Sequence, residues 1–460
     1  MHGVPARFSQ ARLSPPLVGV RYGRLKPDAD SSLQHPTPAF EPAFLHVQCA
    51  FVGNLSAPWE RRISLFESLQ AASADAILGL IAEHKNDSRA EKIDLGVGVY
   101  RTEAGQTPVL DVVKKAEQIL VDTQDSKAYI GTAGAADFNA AMQALTFGDS
   151  APNDRLSTIQ TPGGSGSLRV AAGMILRASP DASVWVSEPT WANHVPLLGG
   201  AGLNLKPYPY YDTENHVIRF DEMLAALSSA PAGDVVLMHA CCHNPSGLDP
   251  SHDQWRAVTE VIVERDLVPF IDMAYQGFAE DLDDDAFLVR HMAGRVAEMI
   301  VSSSCSKNFG LYRDRVGTLS FLARDTASRD VIHSQVNNLV RTIYSVPPDH
   351  GAAVVSLILN DEELRAAWVI ELDEMRERIR EMKLLLNDAL KEKAPDHDFS
   401  HLTRASGMFC FLGITAAQVA KLKKDFGIYM VDSSRINLAG ITPQNVNYLA
   451  DSIAATLQSA

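Results

Sequence analysis

The strongest constraint on the fold is a layout that recurs four times in the middle of this 460-residue chain. Each time, a run of apolar residues long enough for one β-strand ends in polar side chains, and a helix-like segment follows. The runs are too continuous for strands with one face in water, so they predict a buried, mostly parallel sheet with crossover helices. The four segments are VWVSEPTW (184–191), DVVLMHACCHNPSG (234–247), LVPFIDMAYQGF (267–278) and EMIVSSSCSK (298–307).

The polar residues of these segments come at the carboxyl ends of the predicted strands. Open α/β sheets bind their ligands outside that edge. We therefore expect one crevice to collect side chains that lie far apart in the sequence. They are Trp191, Asn244, Asp272, Tyr275 and Lys307.

Lys307 is the most informative of these residues. A lone lysine is usually a surface residue, but this one follows an apolar strand at the ligand edge, among small neighbours, and Arg315 comes soon after it. A lysine that is desolvated in such a place has a lowered pKa and a nucleophilic amine, which suits a Schiff base with a carbonyl compound.

Other candidates have structural alternatives. The glycines of TPGGSGSLRVAAGMIL (161–176) precede an amphipathic helix, where free N–H groups attract phosphate, but they also suit an ordinary loop. Asp272 could cap a helix or hold a ring nitrogen, and Trp191 could be a core residue or a stacking platform. Arg341 and Arg435 could be surface charges or bidentate carboxylate ligands.

Composition excludes several classes of protein. Hydrophobic content of 46% and charged content of 21% are typical of a soluble globular protein, and no apolar run approaches the ~20 residues of a membrane helix. A net charge of −15 argues against nucleic acid or an anionic membrane as the main partner. The five cysteines lack a CxxC pair and indicate a reducing compartment. HACCH (239–243) is interpreted as a strand end with buried thiols rather than a metal site, because its spacing is too tight for one tetrahedral ion.

Residues 1–60 differ from the rest of the chain. They are rich in proline, and five basic residues precede the first acidic one, Asp28. This pattern fits a transit peptide, a disordered extension or an unused upstream start.

Two long helical patterns lie near the carboxyl end. Residues 361–395 predict one helix with an apolar stripe, most simply a brace between two domains, although a coiled coil is an alternative. Thr442 and Pro443 predict the start of the final helix. The stripe of the first helix is Trp368, Leu372, Met375, Ile379 and Met382.

Eight motifs, in family order across about 65–460, closely resemble the class I aminotransferases that depend on pyridoxal phosphate, in the aspartate/aromatic subgroup. They are DLGVGVY (94–100), KAYIG (127–131), TPGGSGSLR (161–169), EPTWANH (188–194), CCHNPSG (241–247), IDMAYQGF (271–278), SCSKNFGLYRDRVG (304–317) and SSRINLAG (433–440). The resemblance implies fold type I, with a large α/β cofactor domain and a smaller α/β domain. The expected divisions are an extension (1–63), an arm with part of the small domain (64–107), the large domain (108–372) and the rest of the small domain (373–460).

The resemblance also implies how the cofactor is held. Lys307 would bind pyridoxal phosphate covalently and shuttle the substrate proton, and Asp272 would keep the ring nitrogen protonated. Supporting contacts would come from His194 behind Asp272, Asn244 and Tyr275 at the phenolic oxygen, Trp191 on the ring face, and Gly164, Ser165, Ser304 and Arg315 at the phosphate.

Two residues would act across subunits, which implies a homodimer with shared active sites. Tyr129 would reach the neighbour's phosphate, and Arg341 would meet the distal carboxylate of a substrate in the neighbour's site. Arg435 would bind the substrate α-carboxylate, with the backbone at Gly98 closing over it. Trp191 and Asn244 would also contact substrate.

Two positions depart from the family pattern. Ser165 replaces a threonine and keeps the hydroxyl, whereas Val346 stands where aspartate-specific members have asparagine, which leaves Arg341 less firmly oriented. The predicted enzyme therefore moves amino groups from aromatic or acidic amino acids to a 2-oxo acid such as 2-oxoglutarate. A strict aspartate aminotransferase is one alternative, and a non-catalytic protein that kept the fold is another. The expected location is cytoplasmic, or mitochondrial if residues 1–60 are a transit peptide.

Overall fold

The computed structural model describes residues 66–71, 76–150 and 152–458. The chain divides into one unit, Met1–Ala71, and a second unit, Ala72–Ala460. In the first unit the described residues form a turn in which the Leu69 N–H donates to the Phe66 carbonyl (3.0 Å). The extension predicted for residues 1–63 lies outside the described residues. Everything below concerns the second unit.

A seven-stranded sheet forms the centre of the second unit, in the order β2-β10-β9-β8-β7-β3-β4. Neighbouring strands are parallel except around β10, which runs antiparallel to both β2 and β9. The predicted mostly parallel sheet is therefore confirmed. The strands of the described residues are β1 (Ile93–Asp94), β2 (Leu156–Pro162), β3 (Ser183–Glu188), β4 (Asn204–Pro209), β5 (Tyr211–Asp212), β6 (Val217–Ile218), β7 (Val235–His239), β8 (Val268–Met273), β9 (Met299–Ser304), β10 (Val316–Leu322), β11 (Phe409–Phe411), β12 (Ile428–Tyr429) and β13 (Arg435–Asn437).

The central strands are buried on both faces. In β7, Val235 and Leu237 belong to one apolar cluster, whereas Val236 and Met238 belong to another. Because alternate side chains of a strand point to opposite faces, the two clusters lie on opposite sides of the sheet. This explains why the apolar runs in the sequence are continuous rather than alternating.

Helices cover the sheet and form the rest of the unit. Several begin at a side-chain cap: Ser251 forms a capping box at the start of α6, and Asp361 accepts the Leu364 N–H at the start of α10. The helices of the described residues are α1 (Ala76–Asn86), α2 (Asp111–Thr123), α3 (Ala136–Phe147), α4 (Gly163–Ala178), α5 (Phe220–Ser228), α6 (His252–Glu264), α7 (Phe287–Ala293), α8 (Thr326–Ile343), α9 (His350–Asn360), α10 (Glu362–Lys393), α11 (Ala416–Phe426) and α12 (Val446–Gln458).

Helix α10 confirms the long helix that the sequence predicts, and all five residues of the predicted stripe are buried. Trp368 ties it to the segment after β9, because the indole N–H donates to the Asn308 carbonyl (2.7 Å) and the ring stacks on Phe309. The regular part of the last helix starts one turn later than predicted, although the predicted cap is present, since the Thr442 hydroxyl accepts the Asn445 N–H (3.2 Å) and its carbonyl accepts the Val446 N–H (3.0 Å). Thr442 closes a turn with Asn445, and α12 begins only at Val446.

The two ends of the second unit meet in small sheets. Strand β1 pairs in parallel with β12, and β11 pairs antiparallel with β13. These strands share an apolar core with α10 and α12. No helix of the described residues is long and apolar enough to cross a membrane.

Candidate active site

A cavity of about 210 Å³ opens at the carboxyl ends of β7, β8 and β9. The five side chains that the sheet-edge argument brings together all line it, as expected for open α/β sheets. Most of the residues assigned by resemblance are also in its wall. These are Gly98, Gly164, Ser165, Trp191, Asn244, Asp272, Tyr275, Ser304, Lys307 and Arg315.

Lys307 lies in a turn just beyond β9, partly exposed to the cavity. Its Nζ atom sits 4.8 Å from the centre of the Tyr275 ring and has no hydrogen-bond partner in the described part of the chain. Burial lowers the pKa of the Lys307 amine to about 8, because the Asp272 carboxylate only partly offsets the desolvation and Arg315 adds to it. At pH 7 about a tenth of the amine is therefore neutral and nucleophilic, and this fraction grows as the pH rises.

Asp272 is a fixed anion at the floor of the cavity. The His194 Nε2 lies 3.1 Å from its Oδ2, and His194 Nδ1 lies 2.8 Å from the Thr190 hydroxyl. Because a carboxylate only accepts, Nε2 carries the proton of this bond. Burial alone raises the pKa of the Asp272 carboxyl, but the hydrogen bond from His194 and the nearby Lys307 outweigh it and hold the pKa below its ordinary value.

Tyr275 stands beside Lys307 on the cavity wall. Burial raises the pKa of its phenol far above the ordinary value, so the hydroxyl stays protonated and can donate a hydrogen bond. Its ring also meets the Phe409 ring edge-on, with centroids 6.1 Å apart.

His239 is a residue of the wall that sequence reasoning missed. It ends β7 opposite Asp272, and its ring lies 5.2 Å from that of His194. Burial lowers its pKa to about 3, and neither ring nitrogen has a hydrogen-bond partner among the described residues. Its place at the end of an apolar run was the signal that could have identified it.

The other side chains of the HACCH segment have partners outside the cavity wall. Cys241 and Cys242 are buried, as the sequence predicts, and their sulfur atoms and an Asp285 oxygen lie within 4.8 Å of one another. The His243 ring contacts the hydroxyls of Ser187 (3.0 Å) and Ser246 (2.8 Å). The four side chains of the motif therefore do not share one centre.

The start of α4 forms a cradle for an anion. The glycines predicted to precede this helix lie inside its first turn, because β2 runs directly into the helix at Gly163. Gly163 has φ +67°, and a Cβ there would lie 2.5 Å from the Arg315 guanidinium, while one on Gly164 would lie 3.2 Å from Ser304. Free helix N–H groups, serine hydroxyls and this guanidinium together suit a phosphate.

Arg435 lies behind the cavity on β13 and is only 6% exposed. It donates to the Gly96 carbonyl (2.8 Å) and, at 3.4 Å, to the Asn244 side chain, and its guanidinium lies 4.4 Å from the Phe409 ring centre. Its Nε has no partner among the described residues. Burial lowers the pKa of the guanidinium, but an arginine keeps its charge, so this is a buried cation with a free donor.

Two of the predicted site residues lie away from the cavity of this chain. Tyr129 is 94% exposed. Arg341 is exposed near the end of α8 and donates to the Ser345 hydroxyl. Val346 follows them with a half-buried side chain that offers no hydrogen bond.

Comparison with known proteins agrees with this geometry. Residues 90–453 match the sequence profile of the family described as Aminotransferase class I and II. The chain belongs to this family. It is an aminotransferase that depends on pyridoxal phosphate, which confirms the predicted enzyme class over the non-catalytic alternative.

Individual relatives match about 85% of the chain of this aminotransferase. The aspartate aminotransferase of Escherichia coli K12 is 47% identical over 396 residues, which are 85% of this chain and 100% of the relative. The aromatic-amino-acid aminotransferase of Burkholderia pseudomallei, with pyridoxal phosphate covalently bound, is 43% identical with a TM-score of 0.84, over 86% of this chain and 100% of that one. The aromatic aminotransferase of Psychrobacter sp. B6, cocrystallised with aspartic acid, is 41% identical with a TM-score of 0.83, over the same shares.

The residues of the aminotransferase cavity fit pyridoxal phosphate. The cradle at Gly163 and Arg315 suits the phosphate, and the fixed Asp272 carboxylate suits a protonated pyridine nitrogen. Both ring nitrogens of His239 are buried polar atoms without a hydrogen-bond partner among the described residues. Such atoms are expected where a polar group belongs.

Proposed function

We propose that this aminotransferase moves the amino group of aromatic and acidic amino acids to a 2-oxo acid such as 2-oxoglutarate. The observation that carries the proposal is the meeting of a titratable amine, a fixed anion and a buried cation around one cavity, namely Lys307, Asp272 and Arg435. When bound, pyridoxal phosphate supplies a carbonyl that captures amines and a protonated ring that withdraws electrons.

Lys307 and Asp272 carry the proton chemistry. Lys307 would hold the cofactor through its amine and, once substrate has displaced it, would carry the proton that leaves the substrate Cα. Its lowered pKa supports this role, because an acid–base group works best when its pKa is near the operating pH. Asp272 keeps the proton on the ring nitrogen, and His194 keeps Asp272 in place.

The other wall residues bind and orient. Tyr275 and Asn244 would donate to the phenolic oxygen of the cofactor, and Trp191 would cover its ring face. The phosphate would be held by Gly164, Ser165, Ser304 and Arg315, which the cradle geometry supports.

Arg435 binds the α-carboxylate that all amino acid substrates share, with Gly98 closing over it. Arg341 of each subunit meets the distal carboxylate in the neighbour's site. Its hydrogen bond to Ser345 and the apolar Val346 nearby support a guanidinium that can move aside. An aromatic side chain can then occupy the same pocket.

The proposed assembly is a homodimer with shared active sites. The almost complete exposure of Tyr129 supports its role at the neighbour's phosphate. We propose a large domain (108–372) and a small domain made from 64–107 and 373–460, which the β1–β12 pair supports by joining the two chain ends. Free buried cysteines support a reducing, cytoplasmic location, and the mitochondrial alternative depends on residues 1–60 being a transit peptide.

The experiment that tests the proposal compares the wild-type protein with Lys307→Ala. We expect the wild type to carry the visible absorption of lysine-bound pyridoxal phosphate, and the variant to lose it along with at least about 10⁴-fold in turnover. Lys383→Ala is the matched control, because this partly buried lysine donates to the Ala405 carbonyl, away from the cavity. A fully active Lys307→Ala variant would overturn the proposal.

Substrate range is tested separately with aspartate and phenylalanine, each with 2-oxoglutarate. Turnover of both is expected. Turnover of aspartate with none of phenylalanine would make the enzyme a strict aspartate aminotransferase, which the 47% identity to the E. coli enzyme of that name keeps as the second candidate.

A further inference from the structure

Two side chains of strand β13 form hydrogen bonds with backbone carbonyls of the segment 95–99, and these hydrogen bonds are called the grip below. Arg435 and Asn437 are alternate residues of the strand, so both leave it on the same face. Arg435 donates to the Gly96 carbonyl (2.8 Å). Asn437 Nδ2 donates to the carbonyls of Val97 (2.6 Å) and Val99 (2.8 Å), on either side of Gly98.

Both polar atoms of the Asn437 side-chain amide have hydrogen-bond partners. It is only 1% exposed, and its Oδ1 accepts the Ala439 N–H (3.0 Å), which fixes the orientation of the amide. Its backbone N–H donates to the Leu95 carbonyl (2.7 Å). An asparagine side chain has two N–H donors and one carbonyl acceptor, and here the amide nitrogen meets two carbonyls while the oxygen meets an N–H.

The opposite side of the segment is held by Asp94. Its Oδ1 accepts the N–H groups of Gly96 (2.9 Å) and Val97 (3.3 Å), and its Oδ2 pairs with Arg101 (2.5 Å). The carbonyls of the segment thus face Asn437 and Arg435, while two of its N–H groups face Asp94. The residues on both sides of Gly98 are therefore held by hydrogen bonds.

Gly98 connects this grip to the cavity. It lines the cavity wall together with Lys307, and a Cβ at Gly98 would lie 3.0 Å from the Phe409 ring. The Arg435 guanidinium lies over the same ring, and Phe409 stands directly opposite Asn437 in the β11–β13 pair. Any shift of the 95–99 segment would therefore change the spacing between Gly98 and the guanidinium.

We infer that Asn437 is a positioning residue for recognition of the substrate α-carboxylate. It locks the Gly98 segment to the strand that carries Arg435, so the guanidinium and the wall facing it keep one spacing. Arg435 can then keep one nitrogen on the Gly96 carbonyl while the guanidinium holds one orientation for a carboxylate. This inference rests on the proposed role of Arg435.

The test is Asn437→Asp in the holoenzyme. Aspartate keeps the shape and the acceptor for Ala439, but it removes both donors and sets a carboxylate against two carbonyls. We expect the dissociation constant of 3-phenylpropionate, a carboxylate without an amino group, to rise by about ten- to a hundredfold in calorimetry. The KM values of aspartate and phenylalanine should rise by the same factor, while the cofactor absorption stays that of the wild type.

Asn445→Asp is the matched control. Asn445 has a similar pattern in the same region, since its Nδ2 donates to the Gly440 carbonyl and its Oδ1 accepts the Thr442 N–H, but it does not touch the segment. If Asn437→Asp does not fold, Asn437→Ser, which adds no charge and keeps one hydroxyl donor, gives the same comparison.

The outcomes separate the two proposals. A wild type that does not bind 3-phenylpropionate contradicts the role of Arg435 itself. A wild type that binds it, with Asn437 variants that bind equally well or that weaken only as much as Asn445→Asp, contradicts the positioning role alone.

Discussion

The two arginines assigned to substrate carboxylates lie in opposite environments. Arg435 is buried on a strand, bonded to the Gly96 carbonyl and packed on the Phe409 ring. Arg341 is exposed near the end of α8, and in the described part of the chain its guanidinium bonds only to Ser345. The group that every amino acid shares is thus assigned to a rigid interior residue, and the group that varies is assigned to a surface residue.

The two environments also differ in how strongly each guanidinium can interact with a carboxylate. A charge interaction is several times stronger in a desolvated site than at the surface, and exposed pairs contribute little. The buried guanidinium should therefore set the strength of binding for all substrates, and the exposed one should adjust only the choice among them.

Replacing the buried arginine in Arg435→Lys should have the largest effect on kcat/KM. Lysine keeps the charge but loses the planar fork, so kcat/KM should fall by about a hundred- to a thousandfold for aspartate and phenylalanine alike. Steady-state kinetics with both substrates measures this. Arg378→Lys is the control, since this arginine donates to the Ala439 and Ile441 carbonyls. A loss confined to one substrate would show that Arg435 does not bind the shared group.

Arg341→Ala removes the exposed guanidinium. We expect kcat/KM for aspartate to fall by about ten- to a hundredfold, because a charge-assisted bond is lost, and the value for phenylalanine to stay within about twofold. Arg329→Ala, on the same helix, provides the comparison. Equal losses for the two substrates would contradict the assignment of Arg341 to the distal carboxylate.

A pH profile tests the third cation of the proposed site, Lys307. Burial lowers the pKa of both Arg435 and Lys307, but only Lys307, at about 8, loses its proton in the physiological range. The neutral amine becomes more abundant as pH rises, so the rate at which cofactor-free enzyme captures pyridoxal phosphate should increase about tenfold from pH 7 to pH 9. Stopped-flow absorbance follows this reaction. A rate that is flat or falls over this range would contradict the lowered pKa.

Val346→Asn should increase the preference for aspartate over phenylalanine, and this is the smallest of the expected effects. An amide near Arg341 would orient the guanidinium, so the ratio of kcat/KM for aspartate over phenylalanine should rise by about three- to tenfold. Val346→Ala adds no polar group and should leave the ratio nearly unchanged. If the asparagine variant also leaves it unchanged, the orientation of Arg341 does not limit substrate choice.

Local patterns in the sequence were enough to predict much of the sheet and one edge of the site. Continuous apolar runs gave β3, β7, β8 and β9, because burial on both faces leaves no polar alternation to confuse the pattern. The stripe of α10 was also correct, since a long amphipathic helix repeats its signal over many turns. The domain boundaries and the roles of the site residues stay predictions.

Other features depend on contacts that no local pattern encodes. The reversed direction of β10 follows from pairing with β2 and β9. The start of α4 at Gly163 and of α12 at Val446 depends on how the chain leaves a strand or a turn. His239 looked like part of a thiol-rich strand end, and only its place opposite Asp272 brings it to the cavity.

By itself, then, the sequence determined the buried parallel strands, the crevice at their carboxyl ends and the motif set of the aminotransferase family. Only the tertiary structure decided that Asn437 holds the carbonyls around Gly98, about 340 residues away in the chain. Periodicity and strand-end polarity are local properties that follow from burial of neighbouring residues. A hydrogen bond between distant segments exists only after folding brings them together, so its partners cannot be read from either segment alone.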